Sequence, residues 1–566
     1  MSFHDSDRRI FVLGGIGLIG AIAVSGRFFK LQILENEKYK LLSDQNRIRT
    51  VLVHGPRRIV VDCDRIEIAG NKKIYNITCT PSEIMDKAYI LEWLTQVFDL
   101  SESETAALRN KIHGTETFII KTPLGWQEIS LLEFKSNQLQ GIRINKEYFR
   151  TYPLGAAMAH IIGYTVYDSK EKKCKGIIGL EKLYESSIQR DAEIIKKEVD
   201  SRERYRRELE RSRISNPDIE FKVSMSAKLH EFIYELISRH RAAVCIMEIP
   251  SGKIRAMVSS PSYDNNIFSS GIISQKQWAD LNTDPNKPLL NRTISATFQP
   301  ASTFKPIVGL AALESKIIDE EYTINCTGSI KIGNRKFHCW KRFGHGKVNL
   351  TRAIAESCNV YFYKIGRKIS AEEIIGFAER FGLGTQTFTN MKEERYGILP
   401  DMEWRNKYLT QPLGRGDIIN ISIGHGYLSA TPIQLAVMAA RLATGRQILP
   451  TFDDTASEIF PQININHEHL ATVRRGMLNT FSNTGTCRNF TSEMGKISGK
   501  TGTGQIRGRM NEDHFYRGSN SLFIGYTTNV QDTNHAISVV IEKAEDISAS
   551  SVAVKALRYM DKRSQP

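Results

Sequence analysis

The chain has 566 residues, 41% of them apolar and 25% charged, which allows roughly two to four domains with large cores and excludes wholesale disorder. Its formal charge of +15 comes with no zinc-finger, RNA-binding or helix-turn-helix signature. Its Lys and Arg residues are interspersed with acids, so no nucleic-acid partner is expected, and attraction to an anionic membrane or polymer accounts for the charge.

The first element is an uncharged run from Ile10 to Gly26, near the lower length for a membrane span. Arg8 and Arg9 precede it; Arg27 and Lys30 follow it. The expected division is a cytoplasmic tail (residues 1–9), a transmembrane anchor (10–29) and an exported remainder. Ala21-Ile22-Ala23 imitates a signal-peptidase site, which leaves a cleaved leader as the competing reading. Strand-like and helical pieces then alternate from about Leu31 to Ile214. Asp200 to Arg213, dense in Arg and Glu, reads as a solvated helix or linker. Asn216-Pro217 breaks the chain, and the expected domains are 30–215 and 216–566.

Beyond the break, Ala227 to Ile237 has helical spacing. Ala243 to Ile249 and Ile254 to Val258 read as strands joined by the turn Pro250-Ser251-Gly252-Lys253. Phe304 to Leu313 reads as a helix, with Pro306 tolerated near its start. Ser521 to Tyr526 and Ala536 to Glu542 are strand-like, and Ser550 to Met560 is a closing helix. Strands at both ends with helices between them predict an α/β class in which helical layers enclose one sheet.

Three motifs carry chemistry. Ser302 and Lys305 in Ser302-Thr303-Phe304-Lys305 are one helical turn apart and share a face. A lysine can activate a serine hydroxyl if burial and a neighbouring positive charge lower its pKa, and Lys500 is available to supply that charge. A helix N-terminus at Ser302 would favour developing negative charge. In Ser357-Cys358-Asn359 the first and third side chains are expected in a cleft, with Cys358 turned back into the protein. The serine would relay a proton and the asparagine hold a substrate amide. In Lys500-Thr501-Gly502-Thr503 a strand bordering the cleft can take an extended peptide, with Gly502 allowing close approach. The Thr503 and Ser302 N–H groups would form an oxyanion hole, and Lys500 would attract a carboxylate.

With these motifs in this order, the chain resembles the class B penicillin-binding proteins along nearly its whole length. Arg150-Thr151-Tyr152-Pro153, Ala159-His160, Gly163-Tyr164 and Gly176 to Tyr184 resemble the family's pedestal signatures. Ala256 to Phe268, Pro288 to Arg292 and Asn420 to Gln434 resemble its transpeptidase segments. His338-Cys339-Trp340, Gly344-His345-Gly346 and Tyr361-Phe362-Tyr363 are similar to the elongation subtype, with a division-specific enzyme as the alternative. The resemblance implies a mixed α/β pedestal at 30–215 and a β-lactamase-like serine transpeptidase at 216–566, whose central antiparallel sheet is flanked by helices. It implies a D,D-transpeptidase that needs no catalytic cofactor. Ser302 would attack stem peptides ending D-Ala-D-Ala, with Lys305, Ser357, Asn359 and Lys500 catalytic and Thr501, Gly502 and Thr503 binding substrate. β-Lactams would acylate Ser302, and the expected partner is the membrane glycosyltransferase of the elongation machinery. A hydrolase and a catalytically silent scaffold are the other readings. The chain departs from the family at Ala301 and Arg58, where glycine is usual, at His425, where glutamine is usual, and at Arg190, Glu193 and Asn520.

Of eight cysteines, Cys326, Cys339 and Cys358 fall near His345 in the second-motif region. Three thiolates and an imidazole suit a closed structural zinc site that would brace Ser357 and Asn359 from behind. A Cys326–Cys339 disulfide or free thiols are the alternatives. Cys63, Cys79, Cys174, Cys245 and Cys487 read as packing residues.

Overall fold

The computed structural model describes residues 3–563 apart from residues 39, 41–46, 122, 137, 169–172, 191, 200–204, 213–218, 270–272, 389–390, 458, 512–513 and 529–533. The Asn216-Pro217 break lies outside the described residues. Helix α1 (Phe3–Phe29) contains the uncharged run, and the stretch Val12–Leu34 has no buried residue and is long enough to cross a bilayer. Its 23 residues give about 35 Å of helix against a hydrocarbon core of about 30 Å.

The chain divides into two compact units that interleave along its length. One comprises Met1–Pro56, Lys73–Tyr148 and Arg190–Pro217; the other comprises Arg57–Lys72, Phe149–Gln189 and Asp218–Pro566. In the first, helices Lys87–Phe98, Glu102–Ile112 and Trp126–Phe134 bury Ile90, Trp93, Leu94, Leu108 and Leu132 in a small core. The same unit holds an antiparallel sheet of β1 (Ile48–His54), β2 (Ala192–Val199) and β3 (Tyr205–Ser212). Strand β3 corrects the expectation of a helix or linker at 200–213. Its charges alternate against those of β2, pairing Lys196 with Glu210 (2.7 Å), Arg207 with Glu198 (2.7 Å) and Arg211 with Glu193 (3.1 Å). Cross-strand ion pairs of this kind hold a solvated strand that carries no apolar alternation to reveal it.

The second unit is built on an antiparallel sheet whose strands lie in the spatial order Ile254–Ser260, Ala242–Glu248, His535–Ile541, His514–Thr527, Ile497–Asn511. In chain order, α2 (Ala227–Ile237), β4 (Ala242–Glu248), β5 (Ile254–Ser260), α3 (Lys305–Glu314), α4 (Leu350–Ala355), α5 (Asn359–Gly366), α6 (Pro432–Thr444) and α7 (His467–Leu478) precede β6 (Ile497–Asn511). Strands β7 (His514–Thr527) and β8 (His535–Ile541) and helix α8 (Ala549–Arg563) complete it. Alternation splits the sheet between two cores. Val244, Ile246, Phe523 and Val539 pack under α2 and α8, whose Phe232 and Tyr559 rings stack at 4.2 Å. Cys245, Met257, Leu522 and Ile524 face the helices of the other layer, among them α3, α5 and α6. Every residue of β4 is buried, because both faces are covered. The fold is the expected α/β arrangement of a sheet between helical layers.

Two of the signature segments owe their composition to one contact. Glu181, fully buried, bridges Arg57 (Nη2 to Oε2, 2.8 Å) and Arg150 (Nε to Oε1, 2.5 Å). Gly163, at φ +76°, lies so close to this segment that a Cβ there would sit 2.0 Å from the Ile178 carbonyl oxygen.

Candidate active site

Ser302 sits in a 3₁₀ turn, Ala301–Phe304, that runs directly into α3. It is half-buried, so its hydroxyl is reachable, whereas Lys305 one turn on is fully buried. The Lys305 Nζ donates to Asn359 Oδ1 (2.7 Å), Ser357 Oγ (3.2 Å) and the Ser357 carbonyl oxygen (2.9 Å), and lies 5.4 Å from the centre of the Phe362 ring. Burial pulls its pKa down to about 8. The sequence assigned that lowering partly to Lys500; burial is the leading cause, and the like-charge effect is felt at Lys500 instead. Lys500 is also fully buried and held well below the ordinary amine range by desolvation and then by Lys305.

Ser357-Cys358-Asn359 is a link between helices. Helix α4 ends in a Schellman turn: Cys358 N–H donates to the Ala353 carbonyl (2.9 Å) across Ser357, which has φ +55°. Glycine is the usual residue at that position, since a Cβ strains the left-handed conformation. Asn359 opens α5. The turn thereby sends Ser357 and Asn359 to Lys305 and Cys358 the other way, the division expected from alternation, reached through a helix cap.

Strand β6 passes the Ser302 turn closely. A Cβ on Gly502 would lie 3.0 Å from Thr303 Cγ2 and 3.2 Å from the Pro300 carbonyl oxygen, so this residue must be small for Thr501 and Thr503 to border the cleft. Lys500 Nζ donates to the Thr501 carbonyl (3.0 Å), and Thr501 Oγ1 donates to Thr486 Oγ1 (2.7 Å). Thr486 was not singled out from the sequence; it lies in a Thr-Gly-Thr turn that carries no signature by itself. Ala301 takes φ +50°, and its N–H donates to the Gly424 carbonyl (2.8 Å), where a Cβ on Gly424 would be 2.0 Å from the Ala301 oxygen. The left-handed backbone explains why glycine is usual at this place. His425 hydrogen-bonds through Nδ1 to the Ile423 carbonyl (3.1 Å), and burial lowers its pKa.

Cys326, Cys339, His345 and Cys358 form one buried cluster whose ligand atoms all lie within 4.8 Å of one another. His345 Nδ1 is 3.6 Å from Cys326 Sγ and 3.5 Å from Cys339 Sγ. Tetrahedral bonds of about 2.3 Å to sulfur and about 2.05 Å to nitrogen put these atoms about 3.6 Å apart. The other ring nitrogen, Nε2, is buried without a hydrogen bond and faces Glu356 Oε2 at 4.0 Å, the place of an outer-shell carboxylate. All eight cysteines are free, so there is no Cys326–Cys339 disulfide. The donor set and its spacing fit a coordinated metal ion.

Residues 242–559 match the penicillin binding protein transpeptidase domain, and residues 53–219 match the penicillin-binding protein dimerisation domain. The chain is 32% identical over 453 residues to the peptidoglycan D,D-transpeptidase MrdA of Escherichia coli K12, covering 76% of this chain and 71% of that protein. It is 28% identical to the MrdA of Acinetobacter baumannii, covering 88% and 78%. Its fold matches the penicillin-binding protein PBP2 of Helicobacter pylori, solved in complex with MreC, with a TM-score of 0.77 and 26% identity over 88% of this chain and 95% of that one. On these grounds the chain belongs to the class B penicillin-binding proteins, as a PBP2-like D,D-transpeptidase of the elongation type.

Proposed function

We propose that Ser302 is the nucleophile through which this single-pass inner-membrane protein cross-links peptidoglycan in its periplasmic domain. The observation that carries this reading is the fully buried Lys305 amine, one turn from Ser302 and held between Ser357 Oγ and Asn359 Oδ1. Neutral Lys305 takes the Ser302 proton as Oγ attacks the penultimate D-Ala carbonyl of a stem peptide. The tetrahedral oxyanion is held by the Ser302 and Thr503 N–H groups. The C–N bond to the terminal D-Ala breaks, and the proton returns to the leaving amine through Ser357. An amine of a neighbouring stem then attacks the ester, restoring the Ser302 hydroxyl and forming the cross-link. Thr501 and Gly502 flank the extended donor peptide, Asn359 holds its amide, and Lys500 with Thr501 attracts its carboxylate. Intact mass after incubation with a penicillin tests this: one penicilloyl adduct, absent in Ser302→Ala, is expected. A folded protein with no adduct would overturn it.

The working division is a tail at 1–9, an anchor at 10–29, a pedestal at 30–215 and the transpeptidase at 216–566. The dimerisation-domain match at 53–219 supports the pedestal. The partner is a membrane glycosyltransferase that makes the strands to be cross-linked, with a scaffold of the MreC kind on the precedent of the Helicobacter pylori complex. Cys326, Cys339, His345 and Cys358 would hold zinc as a structural ion, fastening the turn that presents Ser357 and Asn359. About one zinc per chain is expected in protein purified without added metal, and its absence from folded, penicillin-labelled protein would sink the assignment.

A further inference from the structure

Cleavage and cross-linking share one direction of approach. The amine that resolves the Ser302 ester enters where the terminal D-Ala left, because the two steps pass through the same tetrahedral arrangement in opposite senses. The carboxylate of the leaving residue is drawn to Lys500 and Thr501, so the acceptor comes from beyond Thr501. A polar cavity of about 570 Å³ borders that place. Ala355 and Glu356, the two residues before Ser357, form one wall of it, and Ser482 and Thr484 form another. Two residues further on, Thr486 ties these walls to the cleft. Its N–H donates to the Ala355 carbonyl (3.2 Å), and its hydroxyl meets that of Thr501 (2.7 Å).

The cavity holds uncommitted charge of both signs. Glu321 lines it and is exposed, and among the described residues no cation pairs with it. Arg475 commits Nη2 alone, to Glu320 (3.2 Å) and Thr472 (2.6 Å). Arg352 donates from Nε to Glu356 (2.6 Å) and from Nη1 to the Lys347 carbonyl (2.8 Å), which leaves Nη2. Glu356 is 3% exposed, so Arg352 is anchored by a buried carboxylate rather than by a loose surface pair. Guanidinium N–H groups suit a carboxylate, and a free carboxylate suits an ammonium. We propose that this cavity is the acceptor site, and that it takes a stem peptide whose side chain ends in an amine and a carboxylate on one carbon. The carboxylate lies on Arg352 and Arg475 and the amine beside Glu321. This rests on the Ser302 reading above and adds to it the chemical class of the second substrate. The amine, once neutral, forms the new C–N bond to the acyl carbon as the ester C–O bond breaks, and its proton passes to Ser302 Oγ.

The first measurement needs no chemistry at Ser302. D-Norleucine, pentylamine and hexanoate share an alkyl chain and carry, in turn, both groups, the amine alone and the carboxylate alone. Saturation-transfer NMR on the full Ser302→Ala chain in lipid nanodiscs should show saturable binding of D-norleucine and weaker binding of the other two. Adding Glu321→Gln or Arg475→Gln should weaken D-norleucine binding about tenfold. Glu321→Gln alters an exposed, unpaired group, so it decides the matter if Arg475→Gln does not fold. The second measurement uses the chain with Ser302 intact and N-benzoyl-D-alanyl thioglycolate as donor, whose acyl-enzyme divides between water and added amine. The ratio of amide to acid formed with D-norleucine should fall about tenfold in either variant, while capture by pentylamine stays as it was. Absent binding, binding or capture that survives both substitutions, or pentylamine equal to D-norleucine would each overturn the proposal. Thioglycolate release that persists in Ser302→Ala would overturn the Ser302 reading instead, so the two fail separately.

Discussion

Acidification should destabilise the second unit through histidines whose pKa burial lowers to about 4, namely His230, His160 and His535, well before its carboxylates titrate. The His230 Nδ1–H donates to the Ser226 carbonyl (2.9 Å), and its Nε2 accepts from the Met257 N–H (3.1 Å), so the neutral ring uses both nitrogens. A second ring proton would set N–H against N–H. Burial lowers the pKa of His230 to about 4; burial also lowers that of His160, packed edge-on against Tyr263, to about 4. Unfolded histidine titrates near about 6.5. Between those values the unfolded chain binds more protons than the native one, so this stability is complete above about pH 6.5 and lost as pH falls towards 4. At pH 5 the loss is about 2 kcal/mol for each ring. The assay is urea unfolding between pH 7.5 and 5 for the wild type and for His230→Gln, which retains a donor and an acceptor. The variant should be less stable at pH 7.5 and should lose up to about 1.4 kcal/mol per pH unit of the wild-type slope. A wild type indifferent to pH across this window, or an unchanged slope in the variant, would refute the reasoning.

Lys305→Met removes the buried amine and should slow penicillin acylation of Ser302 by about 10²- to 10⁴-fold with the circular dichroism spectrum intact; acylation within a few-fold of wild type would show that another base takes the proton. Gly502→Ala places a methyl 3.0 Å from Thr303 Cγ2, and the few tenths of an ångström by which β6 must yield should cost about tenfold in acylation rate, followed by stopped-flow fluorescence, with little change in melting temperature. Glu181→Gln strips the shared anion from Arg57 and Arg150, 3% and 0% exposed, and should destabilise the second unit by about 3–5 kcal/mol in urea unfolding; a loss below about 1 kcal/mol would mean Glu185 alone balances both guanidiniums.

The elements with strong periodicity were legible in the sequence. The uncharged run became α1, Ala227–Ile237 became α2 with the same ends, and the strand expected at Ala243–Ile249 is Ala242–Glu248. Each buries or exposes one kind of surface throughout, so its pattern survives in one dimension. Strand β3 was misread because its stabilising pairs are charges on β2 whose register no local pattern reveals. The interleaving of the two units was illegible for a related reason: Arg57, Arg150 and Glu181 are far apart in sequence and meet only through one buried ion cluster. At the candidate site, residue types and order were visible, but the Thr501–Thr486 hydrogen bond and the left-handed turns at Ala301 and Ser357 were not, because they depend on what lies across the cleft.

Those two turns also bear on why a cysteine and histidine cluster sits where it does. Ala301 and Ser357 both hold φ near +50°, where a side chain carries a cost of order 1–3 kcal/mol, and each flanks the Lys305 amine's surroundings from a different helix terminus. Ser357 cannot become glycine without losing the hydroxyl that accepts a hydrogen bond from the Lys305 amine, so its strain has to be opposed by contacts on either side. On one side is Lys305, with three hydrogen bonds to Ser357 and Asn359. On the other is Cys358, the next residue in the chain, fixed by its N–H to Ala353 and clustered through its thiol with Cys326, Cys339 and His345. A metal ion on those four ligands would close the second clamp, which predicts that its loss acts first on the position of Ser357, and hence on acylation, before it acts on the sheet more than a helix layer away.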